Sequence, residues 1–188
     1  MTALQALAFG YAILSRMAYV LFVGGVLRRE DRDGRYTKRY GRAEAFLRFR
    51  RTAAIIMNHD AFALVVLNVA TPGTWDLPVS AAVSIVVGAM LVVIGLATKL
   101  WAARTLGSNA YYWHNFFDPE GAIGPVRAGP YRFISSPMYT VGYLPTYGLA
   151  LIFQSFPGLI AAGFSQAAIL TFNFLVEKPH FQRLHRSS

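Results

Sequence analysis

The chain contains no cysteine, which excludes disulfides and thiolate metal sites and leaves its redox compartment unreadable. Charge is scarce as well: 14% of the 188 residues are charged, and only nine are acidic. Apolar residues make up 55% of the composition, more than a soluble domain of this length can hide. Several nearly uncharged runs are long enough to cross a bilayer, and they identify an all-α, polytopic integral membrane protein. The opening residues lack a basic stretch and a small-residue cleavage site, so the first apolar run is expected as a retained span. No inverted internal repeat points to a transporter.

The charge that is present is unevenly placed. The net charge is +9, and residues 28–51 alone carry ten Lys and Arg against four Asp and Glu. Basic residues set between apolar spans favour a positive-inside loop near anionic headgroups over a nucleic-acid surface. The segment Tyr36-Thr37-Lys38-Arg39-Tyr40-Gly41 within it could form a short surface helix. Residues 102–136 add Arg104, Arg127 and Arg132 to Asp118 and Glu120, and the tail adds Lys178, Arg183 and Arg186. The loop 72–77 has Asp76 as its only charge. About five spans are expected, near 3–27, 52–71, 78–101, 138–155 and 158–176, in one membrane domain over 1–188. The N-terminus then lies outside and the C-terminus in the cytoplasm. Lys99 and Trp101 close the third span as interfacial anchors. Gly88 and Gly95, seven apart on that span, suit close helix contact.

Two spans carry costly polar groups. Arg16 lies about 16 Å inside the first, and Asn58-His59-Asp60 about 12 Å inside the second, at helical rise. Ionisable residues at such depth pair or line a wet cavity. A structural Arg16–Asp60 tie and a polar cleft admitting a headgroup both fit. Arg16, His59, Asp60, Tyr112 and Trp113 are therefore the candidate substrate contacts. In the aromatic stretch after the third span, His114 reads either as an interfacial hydrogen-bonded ring or as a base. Gly107 reads either as a helix cap or as room for a ligand.

The last two apolar runs meet at Phe156-Pro157-Gly158, a break that sends the chain back to the face it left. At 1.5 Å per residue each run covers about 27 Å, close to the thickness of a bilayer core. Ser136–Tyr139 should therefore return beside Glu177 and His180. Glu177 is the only acid after position 120, and Pro179 can free carbonyls beside it.

The sequences Gly129-Pro130-Tyr131-Arg132-Phe133, Pro137-Met138-Tyr139-x-x-Gly142-Tyr143 and Val176-Glu177-Lys178-Pro179-His180 resemble the membrane methyltransferase superfamily. That superfamily includes isoprenylcysteine carboxyl methyltransferases and phospholipid N-methyltransferases, and the wording is most similar to the phosphatidylethanolamine branch. Coverage is best over 85–186. The resemblance implies S-adenosylmethionine as methyl donor, no metal, and a membrane phospholipid as partner. The positions matching the cofactor site are Tyr131, Arg132, Ser136, Pro137, Met138, Tyr139, Gly142, Tyr143, Glu177 and His180. Glu177 would hold the cofactor's ammonium group, while Glu177, Tyr139 and His114 are the catalytic candidates. The carboxyl-methylating branch has Arg-His where this chain has Ser135-Ser136, and paired acids where it has Glu177 alone. The expected activity is methylation of an ethanolamine phospholipid's amine. Methylation of a thiol or prenylcysteine carboxylate, or lipid binding without catalysis, are the alternatives.

Overall fold

Thr2 opens the first helix with a reciprocal cap: its hydroxyl accepts from the Gln5 N–H, and the Gln5 side chain accepts from the Thr2 N–H. The computed structural model describes residues 1–119 and 126–186, and these are helical without a strand. Glu120 lies outside the described residues. The helices are α1 (Ala3–Asp33), α2 (Arg35–Tyr40), α3 (Arg42–Ala70), α4 (Ala81–Tyr111), α5 (Leu144–Ile152), α6 (Phe156–Phe172) and α7 (Lys178–Arg186). Short 3-10 turns occupy His114–Phe116, Gly129–Arg132 and Val141–Tyr143, and a π turn, Asn173–Glu177, joins α6 to α7.

Gly34 ends α1 at φ 60°, and Gly41 separates α2 from α3 at φ 77°. Those left-handed conformations suit glycine and reverse the chain within a few residues. The reversal is fixed by Glu30, whose carboxylate accepts from the backbone N–H of Tyr36 at 2.6 Å and of Thr37 at 3.1 Å. The surface helix expected around Tyr36–Tyr40 is thus α2.

Four helical stretches are long and apolar enough to cross a membrane: Ala3–Asp33, Arg42–Ala70, Ala81–Phe116 and Phe156–Leu184. The fifth expected span, 138–155, differs. Its first residues form turns, and α5 itself has nine residues, about 13 Å at helical rise. Hydropathy counts the apolar residues there but not the backbone they adopt. The hairpin break also sits earlier than expected. Gln154 turns the chain at φ 47°, Ser155 caps α6, and Pro157 stands in its first turn, where a missing N–H costs nothing.

Helix α5 lies antiparallel against α4 through glycines. A Cβ on Gly88 would meet the Gly148 carbonyl oxygen at 2.6 Å, and one on Gly95 would collide with Pro145. The close contact expected of Gly88 and Gly95 is therefore present, with Gly148 answering from the partner helix. One end of the bundle is tied by Gly73 N–H to the Phe153 carbonyl at 2.9 Å and Trp75 N–H to the Gln154 carbonyl at 2.8 Å. The opposite end holds the basic loop and an aromatic core of Phe46, Phe49, Trp113, Phe116, Phe117 and Phe172. Large apolar residues on the outer face of α4, Val86, Met90, Val93 and Leu100 among them, are exposed. An apolar exterior of that kind is matched to lipid rather than water.

Candidate active site

Glu177 ends the π turn, and its position depends on that turn. Lys178 N–H bonds the Asn173 carbonyl, a wider loop than an α-helix makes, and Pro179 then supplies no N–H at all. The Glu177 carboxylate is buried and accepts from two aromatic donors, the Trp113 indole N–H and the Tyr139 hydroxyl, the latter at 2.9 Å. Among the described residues no cation pairs with it. A buried carboxylate held only by neutral donors is costly and invites a positively charged ligand.

Trp113 reaches Glu177 from an unusual backbone. Gly107 breaks α4 at φ 77°, and Trp113 itself sits at φ 59°. A left-handed tryptophan costs about 1–2 kcal/mol. Here the conformation turns the indole inward, edge-on to Phe172 at 5.5 Å and near Phe49 at 6.2 Å. A Cβ added at Gly107 would meet nothing within 4 Å, so space lies open beside the break.

The second motif arrives from the other side. Asn173 donates to the Ser136 hydroxyl at 3.1 Å, Gln166 donates to the Tyr139 carbonyl at 3.2 Å, and Pro137 is fully buried. Ser136–Tyr139 and Glu177 are thereby joined, as the hairpin argument expected. Tyr131 lies near the same carboxylate. Its hydroxyl is buried without a hydrogen-bond partner, and burial, with the Glu177 charge second, pushes it well above the usual phenol range.

A cavity of about 250 Å³ opens beneath these groups, lined by Arg16, Tyr19, Asp60, Lys99, Tyr111, Trp113, Met138, Tyr139, Gly142 and Tyr143 among others. Arg16 and Asp60 pair at 2.5 Å, and Arg16 also donates to the Tyr143 hydroxyl at 2.9 Å. The Arg16–Asp60 tie is present, and both residues line the cavity. The cavity borders Val65 of α3 and Leu96 of α4, which are 42% and 48% exposed on the lipid-facing surface. It therefore has a lateral side as well as a polar end.

Several expected contacts lie elsewhere. His59 faces outward and bonds the Tyr11 hydroxyl at 3.0 Å, so it is separated from its neighbour Asp60. Tyr112 lies beneath Arg50, and His114 abuts the edge of Phe46 at 4.6 Å between ring centres. Arg132 is exposed over Phe133. His180 is buried, stacked on Phe116 at 3.7 Å, with Nδ1 2.7 Å from an Asp31 oxygen that caps α1 to α7. None of the five lines the cavity, and Glu177, Tyr131, Ser136 and Pro137 stand beside it rather than in its wall. Tyr143 does line it, but its hydroxyl is engaged by Arg16.

Sequence reasoning passed over Tyr19 and Lys99. Tyr19 lies one helical turn from Arg16, with the guanidinium 5.2 Å from its ring centre, a spacing that could have flagged it. Lys99 resembled an interfacial anchor because a sequence shows the helix end and not the cavity beside it.

The donor set fits a cationic ligand with an aromatic or sulfonium part: a buried carboxylate held by Trp113 and Tyr139, whose rings line the cavity beside it with Tyr19, Tyr111 and Tyr143. The model of the family described as phospholipid methyltransferase matches residues 83–188. A relative described as phosphatidylethanolamine N-methyltransferase, from Podospora anserina, is 28% identical over 189 residues, covering 96% of this chain and 20% of that protein. Relatives of the same description from Ajellomyces dermatitidis and Clavispora lusitaniae are 30% and 33% identical, over 76% and 54% of this chain. The chain spans only 12% to 20% of the length of these relatives. No solved structure matches. The family match covers more than half of the chain and contains Trp113, Tyr131, Tyr139 and Glu177, and the chain belongs to the phospholipid methyltransferase family.

Proposed function

We propose that this chain transfers a methyl group from S-adenosylmethionine to the amine of an ethanolamine phospholipid, at the cytoplasmic face of its membrane. The observation that carries the reading is the buried Glu177 carboxylate, clamped by Trp113 and Tyr139 and without a cation, above a cavity that borders lipid. The donor, when bound, supplies a methyl group on a sulfonium, already activated for displacement. Glu177 holds its ammonium group by a charge-assisted hydrogen bond, and Trp113, Tyr131 and Tyr139 face the sulfonium with their rings.

The amine must present a lone pair in line with the methyl group. Tyr139 donates its O–H to Glu177, which leaves the phenol oxygen's lone pairs directed to accept an N–H from the substrate amine. That contact orients the nitrogen, and the amine's proton leaves to water at the polar end of the cavity. The aromatic walls exclude bulk water from the reacting pair. Positioning and partial desolvation are the effects the chain contributes.

The acceptor's acyl chains stay in the bilayer, because exposing them costs about 0.8 kcal/mol per CH₂. The amine therefore reaches the cavity sideways between α3 and α4, past Val65 and Leu96. The basic segments 28–51, 102–136 and 177–188 lie on the cytoplasmic side, with the N-terminus outside. Purified chain in vesicles containing phosphatidylethanolamine should incorporate label from methyl-labelled donor into extractable lipid. Label in a small thiol or prenylcysteine acceptor instead, or in nothing, would overturn the proposal.

A further inference from the structure

We infer that Lys99 is a binding residue for the phosphodiester of a membrane phospholipid, held in the cavity between α3 and α4. The inference deepens the reading of that cavity as the lipid's site and rests on it.

Charge balance is the first argument. The cavity wall carries two cations, Arg16 and Lys99, and one acid, Asp60. Asp60 is taken by Arg16 at 2.5 Å. Lys99 makes no ion pair among the described residues, and its ammonium stands 5.7 Å from the centre of the Tyr143 ring. A lysine in a partly desolvated wall is costly without an anion, and this wall holds one anion fewer than its cations.

Position is the second argument. Lys99 lies 18 residues into α4, about 27 Å along the helix and thus at headgroup depth on the side of Glu177. It is one turn beyond Leu96, an exposed residue bordering the lateral side of the cavity. A headgroup passing that point meets the ammonium before it meets Tyr139. Spacing agrees with both. A Cβ on Gly142 would touch the Lys99 stem at 3.7 Å, and Tyr139, one turn earlier in the chain, bonds Glu177 at 2.9 Å. Lys99 and the Glu177 carboxylate therefore stand on either side of one short turn. The phosphate and the amine of one ethanolamine headgroup are separated by only two carbons. Anchoring the phosphate at Lys99 leaves the amine to reach toward Tyr139. A lysine suits this task, since its compact charge meets a phosphate oxygen from many angles as the headgroup moves.

Native mass spectrometry of the detergent-solubilised full chain, without methyl donor, tests this. Dioleoyl phosphatidylethanolamine is titrated against dioleoylglycerol, which has the same chains and no phosphate. The wild type and Lys99→Arg should prefer the phospholipid. Lys99→Met should raise its half-saturation concentration about tenfold, the effect of one charge-assisted contact, and leave dioleoylglycerol unchanged. If Lys99→Met does not survive purification, Lys99→Gln takes its place against Lys99→Arg. Unchanged phospholipid retention, or equal loss of both lipids, overturns the inference. So does a lysine substitution that weakens only calorimetric binding of S-adenosylhomocysteine, because Lys99 would then face the cofactor's carboxylate. Since no methyl transfer is read, a chain that retains phospholipid through Lys99 but methylates nothing would sink the proposed reaction alone.

Discussion

Removing the Arg16–Asp60 pair one partner at a time should give unequal damage, because Lys99 shares the cavity with both. The pair is close, 2.5 Å, and its side chains are 7% and 6% exposed. Breaking a buried pair by removing one partner costs about 3–5 kcal/mol when the other charge is stranded. Asp60→Leu strands two cations with no anion in the cavity wall, and belongs at the upper end of that range. Arg16→Met leaves Asp60 with Lys99 as a remaining counter-charge. Its cost should be nearer 2 kcal/mol, from the lost charged hydrogen bonds to Asp60 and to the Tyr143 hydroxyl. Arg16→Met combined with Asp60→Leu removes both charges and leaves Lys99 without an anion and the Tyr143 hydroxyl without its donor, at about 3 kcal/mol. The double variant should thus be more stable than Asp60→Leu alone, with a coupling of about 4 kcal/mol where independent sites show under 0.5. Thermal unfolding in one detergent, followed by size-exclusion recovery of the four proteins, reads the order directly. Additive losses would refute direct pairing. Arg16→Met proving as harmful as Asp60→Leu would refute the compensating role given to Lys99.

Glu177→Ala should weaken donor binding about ten- to a hundred-fold, the loss of one charged hydrogen bond of about 1.5–3 kcal/mol, with the fold retained; wild-type affinity by calorimetry would remove Glu177 from the site. Trp113→Phe keeps the ring but deletes the indole donor, so it should lower activity while thermal stability drops by only about 1 kcal/mol; unaltered turnover would show that the Trp113–Glu177 contact is incidental. Gly88→Ala drives a methyl against the Gly148 carbonyl and should destabilise the chain by about 1–3 kcal/mol; an unchanged melting temperature would mean that α5 is free to move away from α4. Single cysteines, introduced into a chain that has none of its own, should label from outside at positions 72–77 and be protected at position 40; the reverse pattern would invert the proposed topology.

The class of fold was legible because apolar residues cannot be concealed in water, and run length then separates spans from loops. The meeting of Tyr139 with Glu177 was legible for a simple reason: two apolar runs with a break between them return to one face. Arg16 and Asp60 were paired from depth alone. Hydropathy failed at 138–155, where Pro137, Pro145 and a 3-10 turn use apolar residues without a full-length helix. Motif membership does not state where individual side chains point. His180 follows Glu177 by three residues, yet it points to Asp31 and Phe116, while Glu177 points to Trp113. His59 and Asp60 are adjacent in sequence and diverge by 100° around their helix, one outward and one inward. Direction of this kind depends on helix phase, which neither a charge nor a motif states.

The π turn at Asn173–Glu177 has a consequence for how this chain tolerates change. It amounts to one residue more than a regular helix needs between α6 and α7. Deleting a single residue there would let the two helices merge into a continuous rod with better backbone bonding. It would also swing Glu177 about 100° away from Trp113 and Tyr139. The shortened chain should be at least as stable and present no carboxylate to Trp113 and Tyr139. The extra residue serves the placement of Glu177 rather than the continuity of the helix.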